Sequence, residues 1–241
     1  MLRQRGKASR RGNACYGQRK RDGIIQPLDS SRNPLPRVCL LPSAVVKRRA
    51  NTVRIIGGEH GGRLLPFADV PGLRPTPDRV RETLFNWLGQ DLTGLRCLDL
   101  FAGSGALGFE ALSRNAREVV FVERSREAVD RLRAFAAAIG TRRATIFQKD
   151  ALEFLRGAVP GGESAAAASS RFDVVFLDPP FGEGWIARVL APLRPLLADG
   201  ARIHVESERP YEPDGGMQIL KSGRAGAVHH ALAVFSSDQR G

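Results

Sequence analysis

An α/β fold is predicted, a doubly wound and mostly parallel sheet with an antiparallel hairpin at its C-terminal edge, and three observations predict it. From residue 96 onward, apolar strand-like runs alternate with helix-like segments. The runs RCLDLF, EVVFVE and FDVVFLD are apolar nearly throughout rather than at every second residue, which is the pattern of strands covered by helices on both faces. The last two β-like segments, MQILKS (217–222) and HHALAVF (229–235), are separated only by a turn-prone stretch, GRAG. Two late strands with no helix between them make an antiparallel hairpin.

Taken in order, the periodic chain begins near Val53. RIIGGEHGGRLLPF (54–67) alternates short apolar runs with glycine pairs and reads as a β-hairpin or small β lobe. In PGLRPTPDRVRETLFNWL, Thr76 suits an N-cap and Pro77 the first helical position, while Val80, Leu84, Phe85 and Leu88 recur at helical spacing; one helix over 77–89 is expected. The core then runs RCLDLF, GALGFEALSRN, EVVFVE, SREAVDRLRAFAAAIG, ATIFQKD and ALEFLRGA. After a Gly/Ala/Ser-rich loop (160–170) come FDVVFLD, a helix over 184–198, and the strand ARIHVES. The organisation expected is a basic disordered tail (1–50), a hairpin and helix (51–92) and an α/β core (93–241).

The formal net charge of +12 on 241 residues is concentrated at one end, because the first 50 residues carry 13 Lys/Arg and two Asp/Glu. With Pro, Ser and Gly scattered through it and no apolar periodicity, that segment reads as disordered. Its function is open between an electrostatic arm for phosphate backbone, a nonessential extension or translated upstream sequence, and an Arg-rich organellar transit peptide. Cys15, Cys39 and Cys97 have no CxxC spacing and no neighbouring His, so neither a disulfide framework nor a metal site is expected. No run of about 18 apolar residues offers a membrane span. A cytoplasmic monomer is the expectation.

Chemistry concentrates at the strand ends. DLFAGSGALGFEAL (99–112) is a Gly-rich turn between a strand and a helix, where Gly103 and Gly105 can take backbone angles closed to other residues and let a ligand approach the main chain. Gly103, Gly105 and Gly108 also satisfy the GxGxxG dinucleotide pattern. Asp99 argues against pyrophosphate there, since a carboxylate repels it but attracts an ammonium group. Glu123 ends EVVFVE and is placed to accept both hydroxyls of a ribose. Asp150, after the next strand, is placed to accept from an adenine amine.

DPPF, Asp178 to Phe181, follows the apolar strand FDVVFLD. A ring amine is a poor nucleophile because its lone pair is delocalised into the base. Two acceptors, the Asp178 carboxylate and the Pro179 carbonyl, can take its two N–H bonds and favour a pyramidal nitrogen, so placement and charge complementarity carry the chemistry. Pro179 and Pro180 fix the turn, and Phe181 offers a stacking face.

In order and spacing, RIIGGEHGGRLL, GLRPTPDRVRETLFNWL, CLDLFAGSGALGFEALSR, VFVE, DALEFL, DVVFLDPPF and VESE resemble the RsmD family of bacterial 16S rRNA guanine-N2 methyltransferases. The likeness covers residues 53–235 and leaves the first 50 uncovered; the basic tail and the Ala/Ser stretch at 164–170 depart from the family pattern. It implies a Rossmann-like class I methyltransferase with a seven-stranded sheet, S-adenosyl-L-methionine as methyl donor, and as target the guanine numbered 966 of 16S rRNA within the small ribosomal subunit or its assembly intermediate. Carried over, Asp99, Gly103 and Gly105 hold the methionine end, Glu123 the ribose, and Asp150 with Ala151 the adenine, with Phe101 and Ala102 also among the cofactor-binding residues. Asp178, Pro179, Pro180 and Phe181 hold the target amine. Thr76 falls in a motif whose helix N-terminus faces the cofactor carboxylate. Arg54, Arg63, Arg74, Arg79 and Arg81 are the expected RNA-contacting residues, against the alternative of a solvated helix face for the arginines of the helical motif. Three other readings stay open: a DNA amino-methyltransferase, for which about 190 residues leave little room for a target-recognition domain; an NAD-dependent oxidoreductase, which leaves DPPF unexplained; and a noncatalytic RNA-binding module, against which an intact Asp178 counts.

Overall fold

Successive residues of one strand divide between two apolar layers, and this decides the architecture. In β6 (Phe172–Leu177), Val174 and Phe176 pack into one core, while Val175 and Leu177 pack into the other. β4 (Glu118–Glu123) divides the same way, Val119 and Phe121 against Val120 and Val122. Strands buried on both faces need helices on both.

The computed structural model describes residues 51–70, 75–158, 171–213 and 216–236. The expected tail (1–50), Arg74 and the Gly/Ala/Ser-rich loop all fall outside these residues. The sheet also contains β3 (Arg96–Asp99), β5 (Ala144–Gln148), β7 (Leu197–Ser207), β8 (Met217–Ala225) and β9 (Val228–Phe235), in the order β5-β4-β3-β6-β7-β9-β8. The first five are parallel; β9 runs antiparallel between β7 and β8. This is the expected seven-stranded Rossmann-like sheet, with the late hairpin closing one edge.

One core is lined from α1 (Asp78–Leu88), α2 (Ala106–Ser113) and α3 (Arg126–Ala138) by Leu84, Phe85, Phe109 and Leu132. The opposite core is lined from α4 (Ala151–Ala158) and α5 (Trp185–Leu193) by Phe154, Leu155, Val189 and Leu193. The helix expected to reach residue 198 ends at Leu193 and continues as a single 3₁₀ turn to Leu196, after which β7 begins. Pro195 carries no amide hydrogen to donate along an α-helical ladder.

The expected N-terminal hairpin forms from β1 (Thr52–Arg54) and β2 (Leu64–Pro66), joined by a loop rather than a tight turn. That loop lies on the end of α2: Glu59 N donates to Ser113 O (2.7 Å), His60 N to Ser113 Oγ (2.9 Å), and Ser113 Oγ to Gly57 O. A Cβ at Gly58, where φ is +75°, would lie 1.8 Å from Ser113 O. The glycine pairs thus permit a backbone-to-backbone approach.

α1 departs from expectation by one residue. Pro77, not Thr76, occupies the N-cap, and no side chain caps the helix. The Thr76 hydroxyl is turned toward another partner.

Candidate active site

The chain leaves β3 for β4 and β5 on one side and crosses to β6 on the other, so a crevice opens beyond the carboxyl ends of β3 and β6, where ligands bind in open parallel sheets. A cavity of about 630 Å³ occupies it, within the range of small-molecule sites. Asp99, Phe101, Ala102, Gly103, Glu123, Asp150, Ala151, Thr76, Asp178, Pro179, Pro180 and Phe181 all line it.

The turn after β3 is held on both sides, Leu100 N donating to Phe176 O (3.2 Å) and Ala102 N to Val122 O (3.0 Å). Gly103 (φ 50°) lines the cavity and Gly105 (φ 77°) does not. A Cβ at Gly105 would lie 2.4 Å from Leu132 Cδ2, so the lack of a side chain here serves the packing of α2 against α3.

Glu123 accepts from Gly103 N (2.9 Å, Oε2) and Ser125 N (2.7 Å, Oε1). Two amides from two different turns fix its carboxylate at the cavity wall, leaving further lone pairs for hydroxyl donors. Asp99, 2% exposed, accepts from Gly108 N (3.0 Å) at the start of α2. Burial pushes its pKa up to about 7, the Gly108 bond opposes this, and the Asp178 and Glu123 charges add to it. Asp150 spends one oxygen on Leu152 N (2.9 Å) at the start of α4.

Asp178 follows β6 directly and accepts at Oδ2 from the Thr76 hydroxyl (3.1 Å). Burial raises its pKa to about 6, against the downward pull of that hydroxyl. Pro179 is buried and Pro180 exposed, while Phe181 is 44% exposed at the cavity, large for an aromatic ring and suited to receiving a flat partner. The arrangement provides a fixed acceptor, a stacking face and a row of strand-end acids in one crevice.

The expected arginines separate. Arg54, Arg63 and Arg79 are exposed. Arg81 is not: its side chain has no exposure, and it donates to Glu110 Oε2 (3.2 Å), Asp78 Oδ1 (2.6 Å) and Thr76 O (3.3 Å). Neither an RNA contact nor a solvated face describes it, since a guanidinium with no exposure cannot reach a phosphate.

The sequence reading also missed residues of the site. Trp185 lines the cavity, edge-on to Phe101 (5.6 Å), with its indole N–H donated to Glu183 (2.7 Å). Glu206, on β7, is 2% exposed and feels the charge of Asp178. VESE (205–208) was visible as a motif, but nothing local marks which of its residues faces inward.

A family model described as "Conserved hypothetical protein 95" matches residues 53–234. Ribosomal RNA small subunit methyltransferase D of Escherichia coli (strain K12) is 44% identical over 158 residues, 65% of this chain and 75% of that protein. The Haemophilus influenzae protein of the same name is 39% identical over 186 residues, 75% of this chain and 92% of that one. A solved structure of a putative methyltransferase from Escherichia coli superposes with a TM-score of 0.65 at 39% identity, covering 76% of this chain and 97% of that one. With a crevice of this geometry and likenesses of this extent, the chain belongs to the RsmD family of ribosomal RNA small subunit methyltransferases.

Proposed function

We propose that the protein transfers a methyl group from S-adenosyl-L-methionine to the N2 amine of one guanine in 16S rRNA, the position numbered 966, on the small subunit or its assembly intermediate. The observation that carries this reading is the meeting of Asp178, Pro179, Pro180 and Phe181 with Asp99, Glu123 and Asp150 around a single cavity. The relatives' name, ribosomal RNA small subunit methyltransferase D, supports the substrate class.

The residues fit the cofactor. Asp99 suits the methionine ammonium, Glu123 the ribose hydroxyls, and Asp150 beside Ala151 the adenine amine, while the Gly103 backbone allows close approach. Bound there, the sulfonium supplies an electrophilic methyl group that nitrogen takes in line as the carbon–sulfur bond breaks and leaves its electron pair on sulfur. Asp178 and the Pro179 carbonyl accept the two N–H bonds and direct the nitrogen lone pair, and the ionised Asp178 receives the proton that the methylated nitrogen sheds. Phe181 stacks an unpaired or extruded base at the cavity mouth. The same reading makes the protein a cytoplasmic monomer whose methyltransferase domain spans 51–241, with the basic residues 1–50 as an auxiliary arm.

The test is transfer of labelled methyl to small subunits purified from a strain lacking the modification, followed by nucleoside analysis. Label in N2-methylguanosine that disappears with Asp178→Ala is the expected result. Label in N6-methyladenosine would overturn the target, and the absence of label from subunits, naked rRNA and DNA, despite cofactor binding, would overturn the reaction.

A further inference from the structure

One hydroxyl lies beside a half-buried carboxyl at the cavity and a fully buried one behind it. Thr76 Oγ1 donates to Asp178 Oδ2 at 3.1 Å; Asp178 and Glu206 each follow one residue of the parallel register pair Leu177–Val205, which sets them side by side at adjacent strand ends, and the Thr76 hydroxyl also bears on the Glu206 carboxyl. Glu206 Oε1 is buried with no hydrogen-bond partner among the described residues, a costly state for a carboxylate and a much cheaper one for a neutral acid. We infer that Glu206 is a positioning residue for methyl transfer, holding Asp178 toward the target amine through the Thr76 hydroxyl.

The surroundings decide which of the two acids keeps its proton. Facing Glu206 from α1 is Arg81, already donating to Glu110, Asp78 and Thr76 O. From the ends of β6 and β3 come Asp178 and Asp99, both of its own sign. On its own strand His204 Nε2 lies 4.0 Å away, and on β9 His230 is its register partner. Burial, reinforced by His230, takes His204 down to about 3, and burial also lowers His230, so neither ring supplies a cation at neutral pH. Burial first, then the Asp178 charge, holds Glu206 well above the usual carboxylate range.

Asp178 lines the cavity, and Glu206 is not among the residues that do. The balanced arrangement is therefore a protonated Glu206 donating to Thr76 Oγ1, whose own hydrogen goes to an ionised Asp178. Were Glu206 ionised instead, two anions would compete for one hydrogen, and Asp178 would lose its fixed orientation or its charge.

This inference rests on the reading of Asp178 as the acceptor of the target amine, and the experiment separates the two. kcat and kcat/KM are measured against pH on small subunits for the full chain and for E206Q, E206A, T76V and T76S, with cofactor affinity and thermal melting measured alongside. An amide N–H can replace the acid O–H but cannot ionise. E206Q is therefore expected to lose less than about fivefold in kcat at neutral pH, the scale of one altered neutral hydrogen bond, whereas in the parent enzyme ionisation of Glu206 is expected to lower kcat at alkaline pH, a fall that E206Q lacks. E206A and T76V are expected to lose about 10–100-fold in kcat, the scale of a misplaced acceptor, with cofactor affinity held in E206A; T76S restores activity. An E206Q profile that superimposes on the parent's, or full kcat in T76V, overturns the inference. If E206A does not fold, the E206Q profile and the T76V/T76S pair decide. If D178A retains activity, the amine-holding reading fails first; if D178A is inactive while E206Q titrates like the parent, only the role of Glu206 fails.

Discussion

Arg81 Nη1 stands 3.2 Å from Glu110 Oε2, and neither side chain has any exposure. Glu110 also receives Ile56 N (2.7 Å), Gly57 N (2.9 Å) and the Arg114 guanidinium (2.8 Å), so one carboxylate ties α1, α2 and the N-terminal loop together. Removing Glu110 takes from the buried Arg81 and Arg114 guanidinium groups the fully buried carboxylate they share and leaves Arg81 only the exposed Asp78 as an acid partner. Glu110→Ala is therefore expected to destabilise the fold by about 3–5 kcal/mol, read as a lowered urea midpoint at unchanged slope. In the Arg81→Met/Glu110→Leu pair the loss should fall below the sum of the single changes, because the two facing charges are removed together. Strict additivity would contradict this account.

Gly58→Ala tests the close approach of the loop to α2. The added Cβ meets a backbone oxygen at 1.8 Å, and the φ of +75° is unfavourable for alanine in any case. About 1–3 kcal/mol for crowding plus about 1–2 kcal/mol for left-handed backbone is expected from chemical denaturation. Gly62→Ala, where φ is +84° and no atom of the described residues lies within 4 Å, should show only the smaller backbone cost.

Asp99 and Asp178 impose separate pH dependences. A carboxyl raised to about 7 is neutral below that pH and must ionise to hold an ammonium group. Cofactor binding near pH 7 is therefore expected to release a proton and to tighten as pH rises through about 7. Calorimetry in buffers of different ionisation enthalpy measures the release, which Asp99→Asn should abolish. Asp178, raised to about 6, predicts that kcat/KM climbs as pH rises through about 6. An acid limb near the ordinary carboxylate value would argue against that assignment.

The exposed arginines predict a salt dependence. If Arg54, Arg63 and Arg79 each meet a phosphate, replacing any one by Gln should weaken RNA binding and reduce the slope of log K against log salt by about 0.7–0.9. Arg81→Gln should leave the slope unchanged and lower stability instead, because that side chain never reaches solvent.

The strand–helix alternation and the twin apolar layers were legible in the sequence, because both are periodic properties of neighbouring residues. Glu123 and Asp178 were legible for the same reason, since a polar residue that ends an apolar run must lie at a strand end. Even the helix expected over 77–89 forms, as Asp78–Leu88, while its pattern misleads about its side chains. Helical spacing marks an apolar stripe at Val80, Leu84 and Leu88, but it has no signal for a buried arginine, whose acceptor Glu110 lies 29 residues away. Thr76 has the chemistry of a cap, yet its partner is 102 residues distant. Glu206 is one acid among several in VESERPYEPD until pairing with β6 and β9 carries it inside. Local pattern selects elements because propensity and periodicity act over a few residues. Which charge is buried, and which acid keeps its proton, depends on desolvation and on partners from remote segments, and those exist only once the sheet has assembled.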